Sequence, residues 1–313
     1  MNNSPILVTG SHRSGTTWVG KMLALTDEVQ YVYECFHPNG ILRKKRIFDI
    51  WFKNLTNETE PFASELKRIF NYNYTFSEAY SLMDKDGKFN LRNTPVRIEF
   101  YQACKLIQRK GIAPIPLMKD PIAILSVQWL VKHFSIRPVI LIRHPAAFVS
   151  SLVRLNWHFD FSNFLEQEPL MNDHLHTFAD EMKSGYKDNP VKEAALLWNC
   201  LHHVIHSYKN SQKEWIFKRH EDLSSDPVQE FNGLYDSLGL TFSTEIEQKI
   251  TAFTSSENIG EVTNQKQIQI HQLQRDSRAN IKNWKKRLSA DQIAVIREMT
   301  AEIAVNFYSD EDW

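Results

Sequence analysis

The sequence predicts an α/β fold: a central parallel sheet of about five strands flanked by helices, with helical and irregular insertions. Two observations carry that reading. Five short β-rich runs recur along the chain: Ile6–Thr9, Val29–Tyr33, Ile115–Lys119, Pro138–Ile142 and Trp215–Lys218. Longer amphipathic stretches separate them, the pattern of strands buried on both faces and joined by crossover helices. With 313 residues, 42% of them hydrophobic, the chain can bury roughly 75% of its unfolded surface as one domain spanning 1–313.

The elements follow in order. After the first run, Trp18, Val19, Met22, Leu23 and Leu25 fall at helical spacing. A second helix, Ala123–His133, is expected after Lys119-Asp120-Pro121. A third, Ala146–Leu155, follows Arg143-His144-Pro145, where proline suits a first helical turn. Pro190–Tyr208 and Ala290–Phe307 read as long helices, the latter with Ser289 as N-cap. The stretch Gly40–Arg97 is polar and weakly periodic, and its Arg43-Lys44-Lys45-Arg46 run reads as a solvated face. Residues 156–189 read as loop, with His158, His174 and His176 on it.

A formal net charge of zero gives no bulk attraction to nucleic acid or membrane, so any anion site must be local. The three cysteines, Cys35, Cys104 and Cys200, are scattered and odd in number, which fits a reducing compartment. No apolar run approaches the ~18 residues of a membrane span. The first expected strand begins near Pro5, leaving no room for a leader, so a cytoplasmic location is expected. Triplets such as Asn57-Glu58-Thr59 then read as chance.

Gly10-Ser11-His12-Arg13-Ser14-Gly15-Thr16-Thr17 has the glycine spacing of a phosphate loop between a strand and a helix. A helix N-terminus offers unpaired N–H groups and the positive end of its dipole. In nucleotide triphosphatases a lysine follows the second glycine; here Thr16 stands there, and the cation, Arg13, lies inside the loop. No strand ends in an aspartate suited to magnesium, since Asp120 precedes a proline. A shorter anion held without metal by Arg13, backbone N–H groups and the hydroxyls of Ser14, Thr16 and Thr17 fits better.

The segment Arg13-Ser14-Gly15-Thr16-Thr17-Trp18 resembles the 5′-phosphosulfate loop of sulfotransferases dependent on 3′-phosphoadenosine 5′-phosphosulfate (PAPS). Cytosolic members have lysine at the Arg13 position; Golgi-type and tyrosylprotein members have arginine. The resemblance implies a P-loop-like sheet and a Trp18 that stacks on adenine, where the alternative is a Trp18 in the core. In that family an arginine and a serine eight positions later bind the 3′-phosphate, the spacing of Arg143 and Ser151. Ser277-Arg278-Ala279 before Trp284-Lys285 resembles the segment that closes over that phosphate in cytosolic members. It departs at Ala279 and Ser277, so Arg275 and Lys282 stay as alternatives to Arg278. Arg219-His220-Glu221-Asp222-Leu223 with Asp226-Pro227 resembles a stretch of the family that forms a structural turn.

Sulfuryl transfer needs positioning, charge stabilisation and a base for the acceptor. Glu34 ends the second run, at the strand edge where open α/β sheets place their sites. It lies 21 positions after Arg13, the offset of the catalytic glutamate in tyrosylprotein members. Where cytosolic members carry Lys-Thr-His, this chain has Lys119-Asp120-Pro121, as tyrosylprotein members do, so that histidine base is absent. The resemblance gives Lys119 the bridging oxygen of the donor; His37 and His158 remain rival bases. The other readings are a metal-dependent nucleotide kinase and a non-catalytic relative that binds the product 3′,5′-bisphosphate (PAP). The acceptor, a small molecule or glycan, is expected to meet segments 40–110 and 156–189. Their aromatics Trp51, Phe52, Trp157, Phe159 and Phe161 suit a sugar face, a phenol or a lipid-linked glycan.

Overall fold

The computed structural model describes residues 4–37, 50–56, 63–73, 114–186, 188–258 and 276–313. Its strands are β1 (Ile6–Gly10), β2 (Val29–Tyr33), β3 (Ile115–Lys119), β4 (Arg137–Ile142) and β5 (Ile216–Arg219). They form one sheet in the order β2-β3-β1-β4-β5, every neighbouring pair parallel. Helices α1 (Thr16–Leu23), α2 (Ala63–Phe70), α3 (Val127–Phe134), α4 (Pro145–Arg154), α5 (Pro190–Ser211), α6 (His220–Ser225), α7 (Pro227–Ser237), α8 (Thr244–Thr254) and α9 (Ala290–Ala304) surround it.

Alternation along the strands explains why both faces are apolar. Ile6, Val8, Leu117, Val139 and Leu141 point to the face covered by α1, α7 and α8. Leu7, Met118, Ile140 and Ile142 point the other way, toward α3, α4, α5 and α9. Each fully buried aliphatic side chain of this kind contributes about 1.5–3 kcal/mol. The five runs read from the sequence are thus the five strands, with β1 extended to Gly10 and β5 shifted by one residue.

Register then decides where function can sit. Tyr33 is opposite Lys119, Val8 is opposite both Lys119 and Val139, and Ile142 is opposite Arg219. The carboxyl ends of the strands therefore share one edge, and the loops after β1, β2, β3, β4 and β5 open there. In open α/β sheets that edge is the binding crevice, where the chain order switches direction.

Three local readings change. The helix expected from Ala123 starts earlier, as a 3-10 turn over Pro121–Ser126 that leads into α3, because the Asp120 side chain caps Ile122 N–H. Residues 156–189 are not open loop but a series of short helical turns, among them Ser162–Leu165, Met171–Leu175 and Ala179–Ser184. Phe161, Phe164, Leu170, Leu175 and Met182 are all buried at uneven spacing, so no single helix could bury them together. Arg219–Leu223, expected as a turn, closes β5 and opens α6. Ser289 caps α9 in a reciprocal pair with Gln292, as its position suggests. Cys104, Arg275 and the Arg43–Arg46 run lie outside the described residues. No described helix is long and apolar enough to cross a membrane.

The core also carries an acid sensitivity. His12, His144 and His202 are buried, and desolvation lowers each imidazole from 6.5 to about 3. Their stabilisation is present above pH 6.5 and is lost as pH falls, because the unfolded chain binds the proton and the folded one does not. At pH 5 each loss is about 2 kcal/mol. Asp120, its carboxyl raised from 3.8 to about 7, and Glu221, raised by burial, work in the opposite sense, while burial also lowers His37, His174, His203 and His206. The melting temperature is expected to fall between pH 7 and pH 5, with a shallower slope in His202→Phe. A calorimetric pH series in which it stays level or rises would refute this.

Candidate active site

The loop after β1 is built to expose backbone. Gly15 has φ +95°, and a Cβ there would lie 2.4 Å from the His220 ring, so only glycine lets the loop turn into α1 against that histidine. As the N-cap of α1, Gly15 brings no side chain to the first N–H groups of the helix. The hydroxyls of Ser11 and Ser14 are buried and have no hydrogen-bond partner among the described residues. Buried polar groups generally find hydrogen-bond partners, and two orphaned hydroxyls beside an open helix N-terminus are groups that an anion could engage. Thr16 is buried, Thr17 and Arg13 are exposed, and Arg13 holds a left-handed φ of 64°.

Arg13 joins the two anion motifs. Its Nε donates to Ser151 Oγ at 3.0 Å, across 138 positions of chain. Arg143, which follows β4, has its Nε 3.5 Å from Glu221 Oε1 on α6. Glu221 in turn accepts from His144 N–H at 3.2 Å and from the Tyr308 hydroxyl at 2.9 Å. Burial pulls the Arg143 guanidinium below its usual pKa while Glu221 opposes the shift. The same burial pushes Glu221 upward against the pull of Arg143. Glu221 stands just past β5, on the shared edge, in a stretch that the sequence reads only as a structural turn.

The third cluster is the pair at the ends of β2 and β3. Lys119 is fully buried, its Nζ paired with Glu34 Oε1 and 4.0 Å from the centre of the Tyr33 ring. Its stem runs beside Gly20 of α1, where a Cβ would come within 3.2 Å of Lys119 Cβ and Cγ. Glu34 Oε2 accepts no hydrogen bond from the described residues. Among the rival bases, His37 feels the charges of both Glu34 and Lys119, with burial lowering its pKa first. His158 is tied through Nδ1 to Glu193 of α5 at 2.9 Å.

Trp18 is half-buried, edge-on to His220 and Phe231. Ser277 donates to Ser224 O at 2.8 Å, Arg278 to Ser225 O at 2.8 Å and Lys282 to Glu311 O at 3.1 Å. The first two tie their segment to the end of α6. Around the other side runs an aromatic wall. His12 packs against Phe52, Phe148 and Trp157, Trp51 against Trp157 and His37, and Phe159 against Phe52 and Phe161. Asn163 and Gln167 clamp the backbone of 51–54 to this wall, accepting from Trp51 N–H and Asn54 N–H at 2.8 Å each. Among the described residues no group of three or more His, Cys, Asp and Glu side chains is placed to hold a metal ion.

The parallel sheet thus carries a phosphate-type loop, a second basic strand end and a carboxylate–lysine pair on one edge. Residues 5–244 match the sulfotransferase family, and the chain belongs to it. Comparison with curated proteins gives no match. Among solved structures the chain is similar to the sulfotransferase domain of the curacin biosynthetic pathway, at 16% identity and a TM-score of 0.50, covering 95% of this chain and 97% of that one. It is similar also to the sulfotransferase domain of the Synechococcus PCC 7002 olefin synthase, at 17% identity and a TM-score of 0.53, covering 98% and 95%. Both likenesses are of fold.

Proposed function

We propose that this chain, as one sulfotransferase domain, moves a sulfonate from PAPS to a hydroxyl or amine of a small molecule, glycan or glycolipid, in the cytoplasm and without metal. The observation that carries it is the Glu34–Lys119 pair, set on the sheet edge beside a loop whose cation is Arg13 rather than a lysine after Gly15. The donor supplies an activated sulfonate; the residues supply position and charge.

The orphaned Ser11 and Ser14 hydroxyls and the open N-terminus of α1 suit the 5′-phosphosulfate. Thr16 and Thr17 begin the same helix. Arg13 and Lys119 carry the positive charge that a departing phosphate needs. Ser151, Arg143, Ser277 and Arg278 take the 3′-phosphate side, and Trp18 the adenine. Glu34 keeps one oxygen on Lys119 and receives the acceptor proton on the other. The aromatic wall of Trp51, Trp157 and Phe159 gives the acceptor ring faces to rest on, with Phe52 buried behind them.

Arg143→Ala is expected to weaken PAP binding by about 1.5–3 kcal/mol, the worth of a hydrogen bond to a charged group, with little change in affinity for 5′-AMP, which lacks the 3′-phosphate. Equal affinity of wild type and variant for PAP, by titration calorimetry, would remove Arg143 from the 3′-phosphate. Thermal shift tests the donor class itself. PAP at 100 times its Kd is expected to stabilise the chain by about 2.7 kcal/mol, with ATP and magnesium giving less. Stabilisation by ATP with magnesium and none by PAP would favour a kinase instead.

A further inference from the structure

We propose that Asp120 is the positioning residue of the Glu34 base; the assignment rests on Glu34 being that base. Asp120 is fully buried at the junction of three segments. Its own N–H donates to Val8 O of β1 at 3.0 Å, which fixes it to the sheet centre. One carboxylate oxygen, Oδ1, accepts from Ile122 N–H at 3.1 Å and caps the turn after β3. The other, Oδ2, reaches across 84 positions of chain and accepts from Phe36 N–H at 2.6 Å. Glu34 N–H donates to Lys119 O at 2.9 Å. The strap Glu34-Cys35-Phe36 is therefore held at both ends by Lys119 and Asp120.

The strap needs holding. Glu34 leaves β2 at a φ of 20°, a conformation a non-glycine residue keeps only where its surroundings over-determine it. Without the Phe36 anchor the chain would relax and the Glu34 carboxylate would leave Lys119. The ammonium of Lys119 is bonded to Glu34 and not to Asp120, so the Asp120 carboxylate is not an ion-pair partner here. The titratable groups that face it are Glu34, Lys119 and the Cys35 thiol. A buried carboxylate whose hydrogen bonds all come from backbone N–H groups is a geometric device: each oxygen meets one donor. Asparagine offers only one acceptor oxygen, and serine can keep the cap but cannot span to Phe36.

The test reads turnover as PAP released from PAPS in the presence of a panel of phenols, saccharides and amines. Asp120→Ser and Asp120→Asn are each expected to lower kcat about 10–100-fold, the scale of a reacting group misplaced by an ångström. KM for PAPS and Kd for PAP are expected to stay within about twofold, a split that general loss of structure would not give. Asp120→Asn keeps the volume and removes a desolvated charge, so it serves if the serine variant folds poorly. In a Glu34→Gln background, Asp120→Ser is expected to add no further loss, since its effect runs through Glu34. Wild-type kcat in both Asp120 variants, or losses that multiply in the double variant, would overturn the proposal while leaving Glu34 as base. A fully active Glu34→Gln would fail the base assignment first and this one with it.

Discussion

Glu34→Gln is expected to lower turnover about 10²–10⁴-fold, the contribution of a positioned base, while PAP binding survives. Glutamine matches the side chain in size and can still accept a hydrogen bond, but it cannot hold the acceptor proton. The substitution also strips Lys119 of its anion. Lys119 keeps only 1% of its side chain exposed, so its ammonium would be left in a dry site with a neutral amide oxygen and the Tyr33 ring in place of a carboxylate. Breaking a buried pair in this way costs about 3–5 kcal/mol. The variant is therefore expected to melt earlier as well as turn over slowly. PAP titration separates the two effects, because the residues assigned to the bisphosphate lie on other segments. Full activity in this variant would remove Glu34 as base.

Lys119→Ala is the second large effect. Removing a preorganised charge from a transfer site costs about 10²–10³-fold in kcat, and the loss here is expected in kcat more than in KM for PAPS. The reason lies in its placement: Lys119 ends β3 next to β1, the strand that leads into the phosphate loop, and its ammonium is paired with Glu34. The variant also leaves a cavity along the stem beside Gly20, and it leaves Glu34 near Asp120 without a cation between them. Turnover assays at saturating PAPS check the assignment. A change confined to KM, with kcat retained, would make Lys119 a binding residue and not a stabiliser of the leaving group.

The sheet was legible because its physics is local. A strand buried on both faces must be an apolar run, and five such runs stand in the sequence. The edge proposed to hold the site was legible too, since Arg13, Glu34 and Arg143 follow expected strands and Lys119 ends one. What the sequence hid are contacts set by packing between distant segments. Glu221 meets Arg143 across the β4–β5 edge, and the Asp120 carboxylate finds Phe36 N–H, with no spacing to announce either. Arg13 bonding Ser151 also brings together residues that read as two separate motifs. The turns of 156–189 were missed because their buried residues follow neither a helical nor a strand period. His12 reads as a loop residue, yet Phe52, Phe148 and Trp157 enclose it and keep it neutral.

We propose that the sheet edge carries sulfonate from PAPS to an acceptor through Glu34 and Lys119. The measurement that meets it most directly is mass spectrometry of an acceptor panel incubated with PAPS, in the presence of EDTA, for wild type and Glu34→Gln. The predicted result is an acceptor heavier by one sulfonate, one PAP released for each sulfonate gained, and almost none of either with Glu34→Gln. Equal product from both proteins, or an acceptor that gains phosphate from ATP and magnesium and nothing from PAPS, would contradict it.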